Sequence, residues 1–253
     1  MPEMFGSQAT RPAAVVAAAL LLAACSGGES TADPSTVPPS TGGVSTTSLQ
    51  TTTSSIAPAS GTGQWAIPPG EVPVIDGVQA SGEWSAATEV LMSDGSPVLA
   101  MHSGGALYLA VSTGRIGAVN VAIATEAEVW ILHSSAALGS ARYVPGDAGW
   151  ELAHDFDWCC RSVGNDADRL ALLEDEGWQA NIGFAGDPGV VEYQIVLPWA
   201  GAVIAVASIT DASSQAFWPS DLSAVAREQL IGSRPSDVVF RLSEWFTAVP
   251  LDP

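Results

Sequence analysis

The stretch PVLAMHSGGALYLAVST, from Pro97 to Thr113, contains the pattern that decides the fold. Two β-rich segments, Val98–His102 and Leu107–Thr113, flank the tripeptide Ser103-Gly104-Gly105. Paired glycines supply the positive φ angles that tight hairpin turns require. The stretch therefore predicts an antiparallel β-hairpin.

Similar short segments recur along the rest of the chain. Many alternate apolar and polar residues, as in Val191–Ile195, which is the period of a half-buried strand. Helical patterns are few. Ser134–Leu138 is predicted to form one helical turn, and Asp221–Leu230 is predicted to form a helix with Ser220 as its N-cap. The sequence thus predicts an all-β, antiparallel β-sandwich with one or two short helices. The further predicted strands are Val72–Ile75, Val119–Ala124, Val129–His133, Gly149–His154, Phe156–Val163, Trp178–Phe184, Val190–Leu197, Val203–Ser208 and Val238–Leu242.

The N-terminal residues 1–25 have the features of a lipoprotein signal peptide. Arg11 precedes an apolar run from Ala13 to Ala24, which is too short to span a bilayer but fits a signal-peptide core. The run ends in Leu-Ala-Ala-Cys25, which resembles a bacterial lipobox. We expect Cys25 to carry the lipid that anchors the protein to the bacterial cell membrane, facing the extracytoplasmic side. An ordinary secretory signal with an incidental Cys25 is the alternative.

Residues 26–64 consist almost wholly of Ser, Thr, Gly, Pro and Ala. Such a segment buries too little apolar surface to offset the entropy of ordering it, so it is predicted to be a disordered linker. Residues 65–253 have a normal length for one domain and are predicted to form the β-sandwich.

The charge of the chain excludes several functions. It has 27 acidic and 8 basic residues, a net charge of −19 and no lysine. Without lysine, neither Walker A phosphate binding nor Schiff-base chemistry is available. The excess of acid argues against nucleic acid as a partner. It indicates a solvated acidic surface, or alternatively cation binding.

Cys159 and Cys160 are adjacent in the sequence. Neighbouring Cα atoms are about 3.8 Å apart, below the usual disulfide range, and on a strand the two side chains would face opposite ways. Two reduced thiols are the expectation, and a vicinal disulfide is the alternative.

The segment Ile75-Asp76-Gly77 followed by Glu83-Trp84, the strand Ala106–Val111, the strand Val129–His133 and the strand Val191–Ile195 follow one another in a recognisable order. Together they resemble the family 9 carbohydrate-binding-module-like domains, a group of the DOMON-like β-sandwiches. The resemblance covers most of residues 72–197.

This resemblance implies a jelly-roll-like sandwich. Some members of the family bind sugar chain ends between aromatic rings and carry structural calcium, and related domains bind haem. Asp76-Gly77 is expected to be a tight turn and Trp84 a plug at one end of the sandwich.

Nine tryptophans are many for this chain, and sugar sites need flat aromatic faces beside carboxylates or amides. Trp150, Trp158 and Trp178 are predicted as ligand-binding residues because they lie near Asp147, Asp155, Asp157 and Gln179. Packing of each ring in the core or at an edge is the alternative.

A run of acidic residues around Asp166, Asp168 and Asp175 is predicted to be a loop that offers the hard oxygen ligands of calcium. The spacing does not fit an EF-hand, so a solvated loop is the alternative. A haem or metal site formed by His102, His133 and Met101 is a further possibility, without supporting ligand spacing.

Motifs of catalysis are absent from the sequence: it has no Gly-x-Ser-x-Gly, His-Glu-x-x-His or Gly-x-Gly-x-x-Gly. We therefore expect no enzyme but a membrane-anchored lipoprotein with a non-catalytic binding module, for carbohydrate or cell-envelope polysaccharide. A structural or protein-interaction lipoprotein without sugar binding is the alternative, and a haem- or metal-linked domain the third.

Overall fold

A computed structural model describes residues 63–113, 117–160, 166–183, 189–211 and 213–252. Cys25 with its signal peptide, and the predicted linker except its last residues, lie outside the described residues. The first strand begins at Gln64, one residue before the predicted start of the domain.

The described residues form two β-sheets and two α-helices, which confirms the all-β sandwich. The strands are β1 Gln64–Ile67, β2 Thr88–Leu91, β3 Pro97–Ser103, β4 Ala106–Thr113, β5 Ala118–Ala124, β6 Val129–Ser134, β7 Leu138–Gly146, β8 Gly149–His154, β9 Trp178–Gly183, β10 Gly189–Ile195, β11 Val203–Ile209, β12 Gln215–Trp218, β13 Asp237–Val238 and β14 Phe246–Pro250. The helices are α1 Asp166–Glu176 and α2 Ala224–Ile231, with a 3-10 turn at Leu242–Glu244.

The smaller sheet has the order β2-β3-β4-β10-β9 and is antiparallel throughout. The predicted hairpin joins β3 to β4, with Ser103 opposite Ala106. Gly104 and Gly105 have φ of 57° and 86°, the left-handed values that a two-residue hairpin turn demands. The stretch from Pro97 to Thr113 thus forms the centre of this sheet.

The larger sheet has the order β1-β14-β11-β5-β6-β7-β8-β13, and β12 also pairs with β11. All its pairs are antiparallel except β1 with β14. Its inner face packs on the smaller sheet around Trp178 and Tyr193. Its outer face carries a second apolar cluster, which includes Ala226 and Leu230 of α2 together with Trp245.

A third apolar cluster lies on the outer face of the smaller sheet. Trp84, Met101 and Tyr108 belong to it, and the chain before β2 packs against it through Ile75 and Ala87. Both sheets therefore have covered outer faces, because irregular segments and α2 bury side chains that a simple two-layer sandwich would expose.

Several predicted elements differ from the structure. Val72–Ile75 is not a strand, and the described part of Phe156–Val163 is irregular. Ser134–Leu138 forms no helical turn but the connection between two strands. The strand at Leu138–Gly146 was not predicted, because its glycine, serine, alanine and proline residues have low strand propensity.

The C-terminal helix, predicted at Asp221–Leu230, is present but spans Ala224–Ile231, so its start and the predicted N-cap Ser220 are wrong. Ser223 caps α2, since its side chain accepts a hydrogen bond from the Ala226 amide. Neither α1 nor α2, the α-helices of the described segments, has the length and hydropathy of a membrane span.

The structure joins Cys159 and Cys160 in a disulfide, so the expectation of two reduced thiols is wrong. The segment is not a regular strand: the Leu138 amide donates to Cys160 O, and the Cys159 amide donates to Leu138 O. The alternation of side chains that separates neighbours on a strand therefore does not apply here.

Candidate functional site

The predicted turn at Asp76-Gly77 is held by a buried carboxylate. Glu192 on β10 is 0% exposed on the outer face of the smaller sheet. Its Oε2 accepts hydrogen bonds from the amides of Gly77 (2.8 Å) and Asp76 (3.1 Å), and its Oε1 accepts one from Trp84 Nε1 (3.1 Å). These hydrogen bonds attach the irregular segment before β2 to the smaller sheet, so Glu192, Gly77, Asp76 and Trp84 have a structural role.

Gly77 fits this position because it has no side chain. Its φ is +80°, and an added Cβ would lie 2.6 Å from the carbonyl carbon of Ile182 and closer still to the amide nitrogen of Gly183. Gly183 meets the backbone of Gly77 from the other side. The turn therefore touches β9 backbone to backbone, which only glycine allows.

Burial raises the pKa of Glu192 from 4.5 to about 7, whereas the hydrogen bonds from Gly77, Trp84 and Asp76 act in the opposite direction. Between these two pKa values the folded protein retains a proton on Glu192 that the unfolded chain has released. The folded state is therefore favoured at the acidic end of this window, and the advantage disappears as the pH rises through about 7.

We expect the free energy of unfolding to fall by about 2–3 kcal/mol between pH 4.5 and 7 because of Glu192 alone. Other carboxylates titrate as well, so the quantity to measure is the difference between the wild type and Glu192→Gln, whose side chain does not ionise. Urea unfolding at half-unit pH intervals provides it. Parallel stability curves for the two proteins would contradict the prediction.

The three tryptophans predicted to bind ligand do not form one site. Trp178 is 0% exposed and stacks on Tyr193 in the core between the sheets, with 6.1 Å between the ring centroids. Its Nε1 donates to Glu176 Oε2 at 3.3 Å. The prediction for Trp178 is wrong, because neither face of its ring is open to a ligand.

Trp150 and Trp158 lie on the outer side of the larger sheet. Trp150 is half-buried against the outer apolar cluster and lies opposite Val238 of β13. Trp158 is 53% exposed and stacks on Phe156 at 5.2 Å, with an edge contact to His133 at 5.1 Å. Of the three predicted residues, Trp158 alone offers a largely exposed ring.

The acidic residues predicted as a calcium-binding loop belong to α1. Asp166 and Asp168 lie in its first turn, where carboxylates interact favourably with the helix dipole. Asp175 lies nine residues after Asp166, which is roughly 13 Å along the helix axis, because each helical residue advances about 1.5 Å. These three carboxylates therefore do not converge on one ion, and the described residues contain no group of three or more metal-ligating side chains.

The residues of the haem alternative are also separated. Met101 is buried in the outer cluster of the smaller sheet, and the neighbouring His102 bonds Leu251 O through Nε2 at 2.9 Å. His133 lies on the larger sheet, where its Nδ1 is 2.6 Å from Asn120 Oδ1. Burial lowers the pKa of His133 to about 4, so this imidazole is neutral at physiological pH.

A cleft of about 470 Å³ lies between strands of the larger sheet and the residues that precede β9 and follow β10. Trp130 of β6, Arg142 of β7 and His154 of β8 are register partners, so they form one row across three strands. Glu176 and Leu197 line the cleft with them. The row is directed to the inner side of the sheet, because Trp130 packs against the core between the sheets.

Hydrogen bonds fix the side chains of this cleft. The Glu128 carboxylate accepts from Trp130 Nε1 at 3.0 Å and from Arg142 Nη1 at 3.3 Å. The Arg142 guanidinium lies 5.5 Å from the centroid of the Trp130 ring. On the opposite wall, Glu176 accepts hydrogen bonds from Ser140 Oγ and Trp178 Nε1. These contacts hold the side chains of Trp130, Arg142 and Glu176 in place along the cleft.

The cleft combines the groups that a sugar requires. The accessible part of the half-buried Trp130 ring, beside the Arg142 guanidinium, offers an apolar surface to C–H groups. Arg142 and His154 offer donors, and Asp175 and Glu176 offer acceptors for hydroxyls. From the sequence, Trp130 was predicted only as part of a strand. The alternation in Val129–Ser134 indicates that Trp130 and its neighbours face opposite ways, but only the pairing of the three strands places Trp130 beside Arg142.

The fold thus has two kinds of pocket: an open cleft lined by Trp130, and smaller pockets over the outer faces of the sheets.

Comparison with known proteins adds nothing to this description of the pockets. No protein-family model, curated protein or solved structure matches this chain at a significant level.

Proposed function

We propose that this protein is an extracytoplasmic lipoprotein with a non-catalytic binding module, and that the cleft around Trp130 binds carbohydrate of the cell envelope. The observation that carries the proposal is the row of Trp130, Arg142 and His154 across three strands. A row on strands holds an aromatic side chain and polar groups in fixed positions, which lowers the entropy lost on binding.

The dimensions and charges of the cleft support this ligand class. About 470 Å³ lies within the usual range for small-ligand pockets and accommodates a short run of sugar units. Glu128 neutralises Arg142, whose remaining N–H groups are still able to donate to hydroxyls. Asp175 and Glu176 are then the remaining charged groups, so the cleft is acidic and suits a neutral polyhydroxylated ligand better than an anionic one.

The lipobox-like sequence at Cys25 and the linker after it complete the proposal. An anchor and a tether of this kind hold the domain on the outer side of the membrane and at a distance from the bilayer, where it meets envelope polysaccharide. Calcium, which the sequence suggested as a possible cofactor, is tested only by adding it in one arm of the binding experiment.

We expect Trp130→Ala to weaken glycan binding at least tenfold, because loss of an aromatic anchor at the centre of a site commonly costs about 2 kcal/mol. The measurement is a glycan array and a polysaccharide pull-down with the purified full-length protein, with and without calcium. Titration calorimetry on each glycan that binds then gives the affinity.

Trp158→Ala is the matched control, because this ring is exposed but lies on the outer side of the larger sheet. It should bind as the wild type does. Melting curves by circular dichroism establish that both variants are folded. Binding lost in Trp158→Ala and kept in Trp130→Ala would refute the location of the site.

A second function, protein interaction without sugar binding, is favoured by one observation. Six of the nine tryptophans are buried, namely Trp65, Trp84, Trp178, Trp199, Trp218 and Trp245. Most of the aromatic content therefore serves the packing of the domain. Absence of binding to every glycan tested would leave this second function as the better account.

A further inference from the structure

One wall of the cleft carries negative charge without a counter-ion. Asp175 and Glu176 are the last two residues of α1, and both line the cleft. Among the described residues neither carboxylate forms an ion pair, because Arg142, the arginine of the cleft, is paired with Glu128. The cleft therefore has an aromatic and neutralised wall on the larger sheet and an anionic wall at the end of α1.

The position of these carboxylates on the helix is electrostatically unfavourable. The carboxyl end of an α-helix carries a partial negative charge, which stabilises cations and destabilises carboxylates in the last turn. The last turn of α1 has no basic residue, and Glu174 precedes Asp175 and Glu176 there. A cation bound in the cleft would interact favourably with the carboxylates and with the helix end together.

Glu176 is the better placed of the two acceptors, because its side chain is half-buried and fixed. Its Oε2 accepts hydrogen bonds from Ser140 Oγ and Trp178 Nε1. Ser140 lies two residues before Arg142 on β7, so the two side chains are on the same face of the strand. Glu176 is thus held beside the row of Trp130 and Arg142, and a partly buried charge is screened by salt much less than an exposed one.

This burial determines which ligand charge suits the cleft. A neutral sugar that covers Glu176 removes water from the carboxylate and supplies only hydroxyl donors in return. An ammonium group supplies three N–H donors and a full positive charge, and charge-assisted hydrogen bonds are the stronger kind. A divalent metal ion is less suitable, since the described residues contain no group of three or more metal-ligating side chains.

We propose that the cleft selects an amino sugar with a free ammonium group, and that Glu176 determines this specificity. The ammonium group donates to Glu176 and Asp175 at the end of α1, and the sugar ring packs against the accessible part of Trp130. Arg142 and His154 donate to the hydroxyls of the ring. This inference rests on the carbohydrate binding proposed above and adds to it the chemical class of the sugar.

The test is calorimetric titration of the full-length protein with sugars that differ only in their substituent at C2. Glucosamine, galactosamine and mannosamine are each compared with the N-acetylated form and with the parent hexose, at about pH 6, where amines are protonated. We expect at least one amino sugar to bind at millimolar concentration, and at least tenfold more tightly than both of its neutral counterparts. Ethanolamine, an ammonium without a sugar ring, should bind at least tenfold more weakly than that amino sugar.

A pair of variants locates the charge that is responsible. Glu176→Gln removes the charge, but its amide oxygen is still able to accept from Ser140 and Trp178. The preference for the amino sugar over its N-acetylated form should fall at least tenfold. Glu174→Gln is the matched control, because it makes the same change in the same helical turn at a residue that does not line the cleft. It should leave the preference unchanged, and melting curves establish that both variants are folded.

The possible outcomes separate this inference from the proposed function. If sugars bind and Trp130→Ala abolishes the binding, but the amino sugars have no advantage, carbohydrate binding stands and the inference is overturned. The inference is also overturned if ethanolamine binds as tightly as the amino sugar. Equal effects of Glu174→Gln and Glu176→Gln would overturn it as well, because the net charge of −19 would then attract the ammonium without a specific contact. Failure of every sugar to bind overturns the inference and the proposed function together.

Discussion

Replacement of Trp178 by alanine should lower the free energy of unfolding by about 3–5 kcal/mol, the usual loss for a large aromatic residue in a core. The ring is completely buried between the two sheets and stacks on Tyr193, and its Nε1 is bonded to Glu176. Removal leaves a cavity that the strands are too constrained to fill. Urea unfolding monitored by circular dichroism measures the loss.

Trp158→Ala provides the comparison, because the same side chain is removed from a position that is 53% exposed. This variant should lose less than about 1 kcal/mol. Equal losses for the two variants would mean that the core between the sheets is not packed around Trp178.

Gly77→Ala should destabilise the protein by about 4 kcal/mol, which combines the strain of a positive φ with a collision against backbone. The added Cβ would meet the carbonyl carbon of Ile182 at 2.6 Å, and a backbone atom cannot rotate aside as the end of a flexible side chain does. The turn would then move away from Glu192 and leave its carboxylate without two of its donors. Thermal and urea unfolding both report the effect.

Gly82→Ala separates the two causes. Gly82 has a similar φ of +86°, but an added Cβ there would meet nothing within 4 Å. This variant therefore carries the backbone strain alone and should lose about 1 kcal/mol. A Gly77→Ala variant as stable as Gly82→Ala would contradict the close approach of the turn to β9.

The hairpin around Gly104-Gly105 and the alternating strands were predictable because their signals are local. Turn geometry and the two-residue period act between neighbours in the sequence. The strand β7 was missed because small residues and Pro145 weaken that signal, and pairing with β6 and β8 compensates for it. In that strand, tertiary contacts outweigh intrinsic propensity.

The candidate site was less predictable, because it depends on residues that are distant in sequence. Trp130, Arg142 and His154 become neighbours only through strand register. Acidic composition suggested a loop at residues 166–176, whereas its acidic first turn stabilises a helix. Composition indicated which types of side chain were available but not which of them lie close together in the fold.

The parallel pair of β1 and β14 has a consequence for the timing of synthesis. Trp65, near the start of the domain, is aligned with Ala248, near its end. A ribosome supplies β1 first and its hydrogen-bonding partner last, so the larger sheet is not complete until almost the whole domain has emerged. Pairing between such distant segments is slow, because a long loop must close first. The domain therefore gains its full set of strand pairings only when its last strand is available.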